Sequence, residues 1–252
     1  MRRLHTALNA GIPSKPTRSG KVHLSHATHP MSPASTSTAL PLLAIETSGS
    51  ACSVAIQVSA APPAHEIMAT SHGHATALAP MIARLAKATG IPPLSLKTIA
   101  VSCGPGGFTG IRVGLATARA MALAIGCPIV GIGSFQALAA TAARSGGPLA
   151  ARNLVVLDSR RGELFAIELG PDLQALSPPE LLTADAIAAR CGNTTLIADA
   201  ELTQFGALRG LAANADAIAV AELAATRPDL HLPAEPIYLR PPDISQPKPR
   251  KL

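Results

Sequence analysis

Four glycines fall within seven residues, at Gly104, Gly106, Gly107 and Gly110, and they limit what this chain can fold into more than any other feature. An apolar run, Thr98 to Ser102, leads into them and reads as a buried strand. An Ala-rich segment, Ile111 to Ile125, leaves them and reads as a helix. Pro105 sets a rigid turn between the two, and Thr109 has the side chain of a helix N-cap. Glycine lets the backbone approach a partner closely. That partner is either another part of the chain, in a tight strand-to-helix connection, or an anion at the helix N-terminus, where unpaired N–H groups and the helix dipole converge. No Lys-Ser or Lys-Thr follows the glycines, so the stretch is not a Walker loop. Gly104-x-Gly106-x-x-Thr109 ends on threonine, short of a full dinucleotide fingerprint.

The wider stretch Gly104-Pro105-Gly106-Gly107-Phe108-Thr109-Gly110-Ile111-Arg112-Val113-Gly114 resembles the GPGSFTGxRxG signature of the TsaB family, bacterial subunits of the tRNA threonylcarbamoyladenosine machinery. Two further segments resemble that family in the right order. One is Leu42-Leu43-Ala44-Ile45-Glu46-Thr47-Ser48, followed by Ala51-Cys52-Ser53-Val54-Ala55; the other is Leu157-Asp158-Ser159-Arg160-Arg161-Gly162-Glu163-Leu164-Phe165. The likeness runs from about Leu40 to Arg240 and ends on Pro236-Ile237-Tyr238-Leu239-Arg240, similar to a closing P-x-Y-L-R.

At 252 residues the chain can bury a sizeable core, as one large domain or two small ones. Aromatic residues make up only 2% of it, so that core must come from Ala, Leu, Ile and Val. No apolar run reaches the roughly 18 to 20 residues of a membrane span. Cys52, Cys103, Cys127 and Cys191 are widely spaced and read as buried hydrophobes in a reducing compartment. The net charge of +6 owes most to residues 1–39, which carry Arg2, Arg3, Lys15, Arg18 and Lys21 and no acid, leaving the rest near +1. The body therefore has no strong electrostatic signature for nucleic acid. Residues 1–39 lack apolar periodicity and are expected to be a disordered extension. Their composition also fits a transit peptide, but a start at Met31 is the preferred reading. His5, His23, His26 and His29 in that segment read as solvated.

The expected order from Leu42 is a short strand to Ile45, a Ser-Gly-Ser turn, a strand Cys52 to Val58 and a third strand Glu66 to Ser71. A helix Thr76 to Thr89 follows, closed by Gly90 and Pro92-Pro93, then the strand and helix flanking the glycines, with Gly126 as stop. A strand Pro128 to Ile132 and a helix Ser134 to Arg144 complete a βββαβαβα half. After a boundary at Ser145 to Pro148, the second half opens with strand Leu154 to Ser159, a turn at Arg160-Arg161-Gly162 and strand Glu163 to Glu168. It continues with a helix Leu181 to Arg190, a strand Thr195 to Ala198 and a helix Ala215 to Thr226. Strand, acid, tight turn, strand, stated twice, signals two copies of one supersecondary unit. The pattern resembles the actin, sugar-kinase and Hsp70 (ribonuclease H-like) fold: an α/β chain with an N-terminal domain at 40–146, a reduced C-terminal domain at 147–240 and a mobile basic tail at 241–252.

In that fold the paired turns hold phosphate and metal across a cleft. The resemblance therefore makes Glu46, Thr47, Ser48, Gly104, Gly106, Gly107 and Asp158 vestigial phosphate-loop candidates. Glu46 stands where the family usually has Asp, which moves the carboxylate by about 1.5 Å. The alternative is that both acids simply satisfy turn N–H groups. His72 and His74, two apart, make a poor metal pair, and the H-x-x-x-H of the related TsaD is missing. Arg112, in a first helical turn where the dipole disfavours a cation, calls for a compensating anion. Gly114 inside a helix signals close packing. Family members pair through these helices, with themselves or with TsaD, which implies an interface at Met81, Leu85, Arg112, Gly114, Ala118 and Ala122.

The resemblance thus implies a non-catalytic, cytoplasmic subunit that binds a TsaD-like catalytic subunit and works with a TsaE-like ATPase. It would meet tRNA only through the complex, form a homodimer when alone and have no membrane contact. It implies no cofactor for the chain by itself, and ATP with Mg²⁺ only in complex with partners. An independent ATP-dependent kinase of the same fold is the alternative; the second half shows no clear Gly-rich adenosine loop for it. A peptidase lacks any evident nucleophile–base pair.

Overall fold

The computed structural model describes residues 38–69, 73–192, 194–200, 202 and 210–240. The expectations for the tail at 241–252, for nearly all of 1–39 and for His72 lie outside the described residues. Strands β1 (Leu42–Glu46), β2 (Ala51–Gln57), β3 (Ala64–Ala69), β4 (Thr98–Ser102) and β5 (Ile129–Ile132) form one five-stranded sheet in the order β3-β2-β1-β4-β5. Strands β6 (Asn153–Asp158), β7 (Leu164–Leu169), β8 (Glu180–Leu182), β9 (Thr195–Asp199) and β10 (Gly210–Ala213) form a second in the order β10-β9-β6-β7-β8. Read from its third strand, each sheet has the same order. In each, the first strand pairs antiparallel with the second and parallel with the fourth. This is the doubled α/β topology of the actin, sugar-kinase and Hsp70 class.

Among the described residues the α-helices are α1 (His74–Thr89), α2 (Phe108–Ile125), α3 (Ser134–Gly146), α4 (Ala184–Arg190) and α5 (Ala217–Thr226). Strand β1 is apolar at successive positions because both its faces are covered. Leu43 and Ile45 join the cluster under α1 and α2, whereas Leu42 and Ala44 face the other way. The second sheet alternates likewise: Leu154 and Val156 pack with Ile187 of α4, and Val155 and Leu157 turn inward. The inward faces of both sheets share one core, filled by Leu138 and Phe135 of α3 and Val220, Ala221 and Leu223 of α5.

The two inner helices exchange partners. Helix α5 belongs by sequence to the second half but packs on β1 and β2 of the first sheet, whereas α3 packs on β6, β9 and β10 of the second. Alanines on both sides permit the close fit: Ala44, Ala55 and Ala100 on the sheet, Ala217, Ala221 and Ala224 on α5. The first N–H of α5, at Ala217, donates to Ser53 Oγ on β2 at 2.9 Å. The boundary near residue 146 therefore separates two sheets without separating two cores.

Some expectations shift. Helix α2 starts at Phe108 with Gly107 as N-cap and no side-chain cap, so Thr109 lies inside the first turn instead of capping it. The helix expected at Leu181 starts at Ala184. Thr183 accepts from Ala186 N–H as its cap, and Glu180–Leu182 pair with β7 as a strand. Strand β10 went unforeseen: Gly-Leu-Ala-Ala has little strand preference and is held by parallel pairing with β9. By length and mean hydropathy α2 is apolar enough to cross a membrane, but Arg112 and Arg119 interrupt it, so the expectation of no continuous apolar run of that length stands, and one side of the helix packs on β4.

Because both sheets share a core, calorimetry should give one cooperative transition. Leu138→Ala, a fully buried change on α3, should lower that whole transition by about 2–5 kcal/mol of stability. Two separable transitions, with only one moved by the substitution, would contradict the shared core.

Candidate functional site

The glycine loop meets the turn between β1 and β2. Gly107 N–H donates to Ser48 O at 2.8 Å, and Thr47 Oγ1 donates to Gly110 O at 2.8 Å. A Cβ on Gly106 would lie 2.3 Å from Ser48 O, one on Gly110 2.0 Å from Thr47 O, and one on Gly114 2.3 Å from Thr47 Oγ1. On its other side the loop meets the chain's closing segment: Ile237 N–H donates to Cys103 O at 2.8 Å, and Gly104, at φ 101°, would place a Cβ 2.9 Å from Ile237 O. Of the two partners open to these glycines, the chain's own backbone is the one the structure shows.

Glu46 ends β1 and Asp158 ends β6, and both act locally in the same way. Ser48 N–H donates to Glu46 Oε1 at 2.5 Å, and Arg160 N–H donates to Asp158 Oδ1 at 2.7 Å, each from two residues further on. Their surroundings differ. The Asp158 side chain keeps 25% of its surface and faces Arg160 Nε at 3.5 Å. Glu46 is 0% exposed. Its Oε1 also accepts from Ser48 Oγ at 2.6 Å, and that hydroxyl accepts from Ser134 Oγ at 2.7 Å. Burial pushes the Glu46 carboxyl above its ordinary value, opposed by the bonds from Ser48. Glu46 Oε2 and the Ser102 hydroxyl, at the ends of adjacent strands, are buried without another partner among the described residues.

A metal–phosphate group, which the fold implies, does not fit the first turn. The Glu46 carboxylate is sealed and engaged, and the spaces at Gly106 and Gly110 are taken by carbonyl oxygens, which repel phosphate. Among the described residues no cluster of three His, Cys, Asp or Glu could hold a metal ion. Burial pushes the thiols of Cys52 and Cys103 up to about 11, so neither is a thiolate at neutral pH.

Arg112 is compensated otherwise than expected. Its guanidinium lies 3.6 Å from the Phe108 ring centroid, and its Nε donates to the Tyr238 hydroxyl at 2.9 Å. The two rings are 5.4 Å apart. Among the described residues no carboxylate pairs with it; the aromatic faces offset its charge instead. Beside this stack, between the glycine loop, the β6–β7 turn and Ile237 to Arg240, lies a cleft of about 320 Å³. Phe108, Phe165 and Tyr238 line it, together with Arg160, Arg161 and Arg240. The first-half and second-half turns do face each other here, with Gly106 and Gly107 of the expected set on the lining, but the charged and large side chains around the space are arginines and aromatics. Spacing could not foretell this, because Tyr238 is brought in from the far end of the chain.

The residues expected at an interface fall on the wrong face of their helices. Met81, Leu85, Ala118 and Ala122 are buried in the chain's own core under the first sheet, and Gly114 is closed by Thr47. The helical spacing identified a packed face correctly but assigned it to a partner. Of the set, Arg112 is at the surface. The outer faces carry Ala79, Pro80 and Ala83 on α1 and Ala116, Ala120 and Leu123 on α2, with Leu123 86% exposed.

A family model described as TsaD, tRNA N6-adenosine threonylcarbamoyltransferase, matches residues 68–188. The tRNA threonylcarbamoyladenosine biosynthesis protein TsaB of Escherichia coli is 30% identical over 150 residues, which cover 56% of this chain and 64% of that relative. An uncharacterized protein of Mycobacterium tuberculosis is 32% identical over 175 residues, covering 69% of this chain and 78% of that protein. The solved structure of YeaZ from Pseudomonas aeruginosa superposes with a TM-score of 0.67 at 23% identity, covering 79% of this chain and 99% of that one.

Two expectations follow from the buried contacts. Gly110→Ala should lower stability by roughly 1–3 kcal/mol through overpacking against Thr47, whereas Gly107→Ala, whose Cβ would stand 3.5 Å from Ser48 O, should be near neutral in the same melts. The raised Glu46 carboxyl gives stability that is full below its unfolded value of about 4.5 and declines as pH rises toward its folded value. Glu46→Gln, which keeps the shape and supplies a donor toward Ser102, should therefore melt higher than the parent at pH 7, on the order of 2–4 °C, and lose that gain near pH 4. A lower melting temperature at pH 7 would show that the ionised form is the one the fold requires.

Proposed function

The chain belongs to the TsaB/YeaZ family, relatives of TsaD in fold, and on that premise we propose that it is a non-catalytic partner subunit for a TsaD-like enzyme in the formation of N6-threonylcarbamoyladenosine in tRNA. The observation that carries this reading is the outer face of α1 and α2. Ala79, Ala83, Ala116, Ala120 and Leu123 leave an apolar surface where small side chains let another helix pair approach closely. The sealed Glu46 supports the non-catalytic half of the proposal. So does the second repeat, read here as the reduced one: α4 spans 7 residues where α1 spans 16. We place the protein in the cytoplasm, with ATP and Mg²⁺ entering only with partners such as a TsaE-like ATPase.

Charge favours an unlike partner over a second copy. Neither α1 nor α2 contains an acidic residue, and their exposed cations are Lys87, Arg112 and Arg119, with Arg84 already paired to Glu66 of β3. Two copies would bring cations together, and a partner with an acidic rim would complement them. The homodimer of the free chain is then the weaker pairing, displaced when the enzyme binds.

Ala120→Glu and Ala83→Glu place a carboxylate on the outer face without touching the core. Each should leave the melting temperature within a few degrees and weaken capture of a TsaD-like enzyme by at least roughly tenfold, because a charge buried unpaired in an interface costs several kcal/mol. The same change at Ala118, which is 0% exposed, should instead unfold the chain. Undiminished binding by both outer-face variants would remove α1 and α2 from the interface.

A further inference from the structure

We propose that residues 231–240 form a releasable strap, fastened to α2 by Arg112 and Arg119, and that a partner docking on α2 with its own carboxylates takes those arginines and frees it. The inference rests on the partner-subunit reading and adds to it a change of state on docking. Beyond α5 the chain runs along the edge of the first sheet. Leu232 pairs with Gly131 of β5 through two backbone hydrogen bonds of 2.9 Å. Past Leu232, among the described residues, a single backbone hydrogen bond ties the segment to the rest of the chain, from Ile237 N–H to Cys103 O at 2.8 Å. Pro233 and Pro236 have no N–H to offer. Side chains hold what the backbone does not. Arg119 donates to Ala234 O from Nε at 3.0 Å and from Nη2 at 2.5 Å, and Arg112 Nε donates to the Tyr238 hydroxyl at 2.9 Å. At the far end Arg240 pairs with Glu163 of the second half. A segment with so few backbone bonds opens more readily than a helix or a sheet strand.

The chemistry of the two arginines is an independent observation. They stand two turns apart on α2, and both are exposed. Their acceptors are a carbonyl and a hydroxyl, both neutral, and among the described residues neither arginine has a carboxylate partner. In solvent that suffices. Under a docked partner it does not, because a guanidinium covered without an anion is strongly unfavourable. Bonds to a carboxylate are also roughly twice as strong as neutral ones. Arg119 grips Ala234 through Nε and Nη2, the edge that a side-on carboxylate occupies, so that edge serves one or the other. The strap covers a reporter of its own position. The Cys103 thiol is 0% exposed, and its Sγ lies 3.6 Å from Pro233 O. Cys52, also 0% exposed, sits on β2 away from the strap.

The full chain is measured alone and saturated with a TsaD-like enzyme. Amide exchange is followed at Ile237, and modification by N-ethylmaleimide is followed at each cysteine by peptide mass spectrometry. Docking should speed Ile237 exchange and Cys103 modification by about tenfold or more and leave Cys52 unchanged. In the free chain, Arg119→Met and Arg112→Met should each raise the Cys103 rate by roughly threefold or more at an unchanged melting temperature, and Arg119→Lys should restore part of the hold. If the enzyme is captured and Ile237 exchanges no faster than in the free chain, the proposal is overturned while the partner-subunit reading stands. It is equally overturned if both methionine variants leave the Cys103 rate unchanged, or if Cys52 rises in step with Cys103. If no enzyme is captured, the partner-subunit reading falls and takes this proposal with it.

Discussion

The contact between the β1–β2 turn and the glycine loop is the constraint on which the rest of the molecule depends. Two carbonyls, at Thr47 and Ser48, occupy the volume that side chains at Gly106 and Gly110 would need. The hydrogen bonds across the contact are each worth only about 1 kcal/mol, but their geometry fixes where α2 starts and how close it lies to the sheet. That closeness holds Phe108, the first residue of α2, at the mouth of the cleft and in reach of Tyr238.

The repeat makes an internal comparison possible. Glu46 and Asp158 end equivalent strands and accept from equivalent N–H groups. On the inner face of its sheet, beside the start of α3, the first is a fully buried carboxyl whose titration burial raises; beside an open turn the second keeps contact with solvent and an arginine. One motif thus yields two environments, set by what packs over each strand end.

Much of the fold was legible because its signals are local. The strand–acid–turn–strand repeat, the stops at Gly90 and Gly126, and the alternation in β1 each depend on neighbours within a few residues. Where the sequence reading failed, the deciding contact was distant. Helical spacing on α1 and α2 showed that Met81, Leu85, Ala118 and Ala122 pack against something, but not whether that was the chain's own sheet or another molecule. Arg112 was read as needing an anion because its aromatic partner Tyr238 lies 126 residues away. Strand β10 has almost no intrinsic preference and owes its form to β9. The cleft could not be anticipated at all, since three separate segments build it.

The exchange of α3 and α5 has a consequence for how this protein is made. A ribosome delivers β1, β2 and β4 early, yet the helix that covers their inner face ends at Thr226. Until α5 emerges, Leu42, Ala44, Ala55 and Ala100 have no permanent cover, and α3 awaits a sheet that is still untranslated. Domains that close in order of synthesis can be interrupted between one and the next. This chain offers no such stopping point, and a nascent product cut short anywhere before α5 presents the apolar surface that cellular quality control recognises.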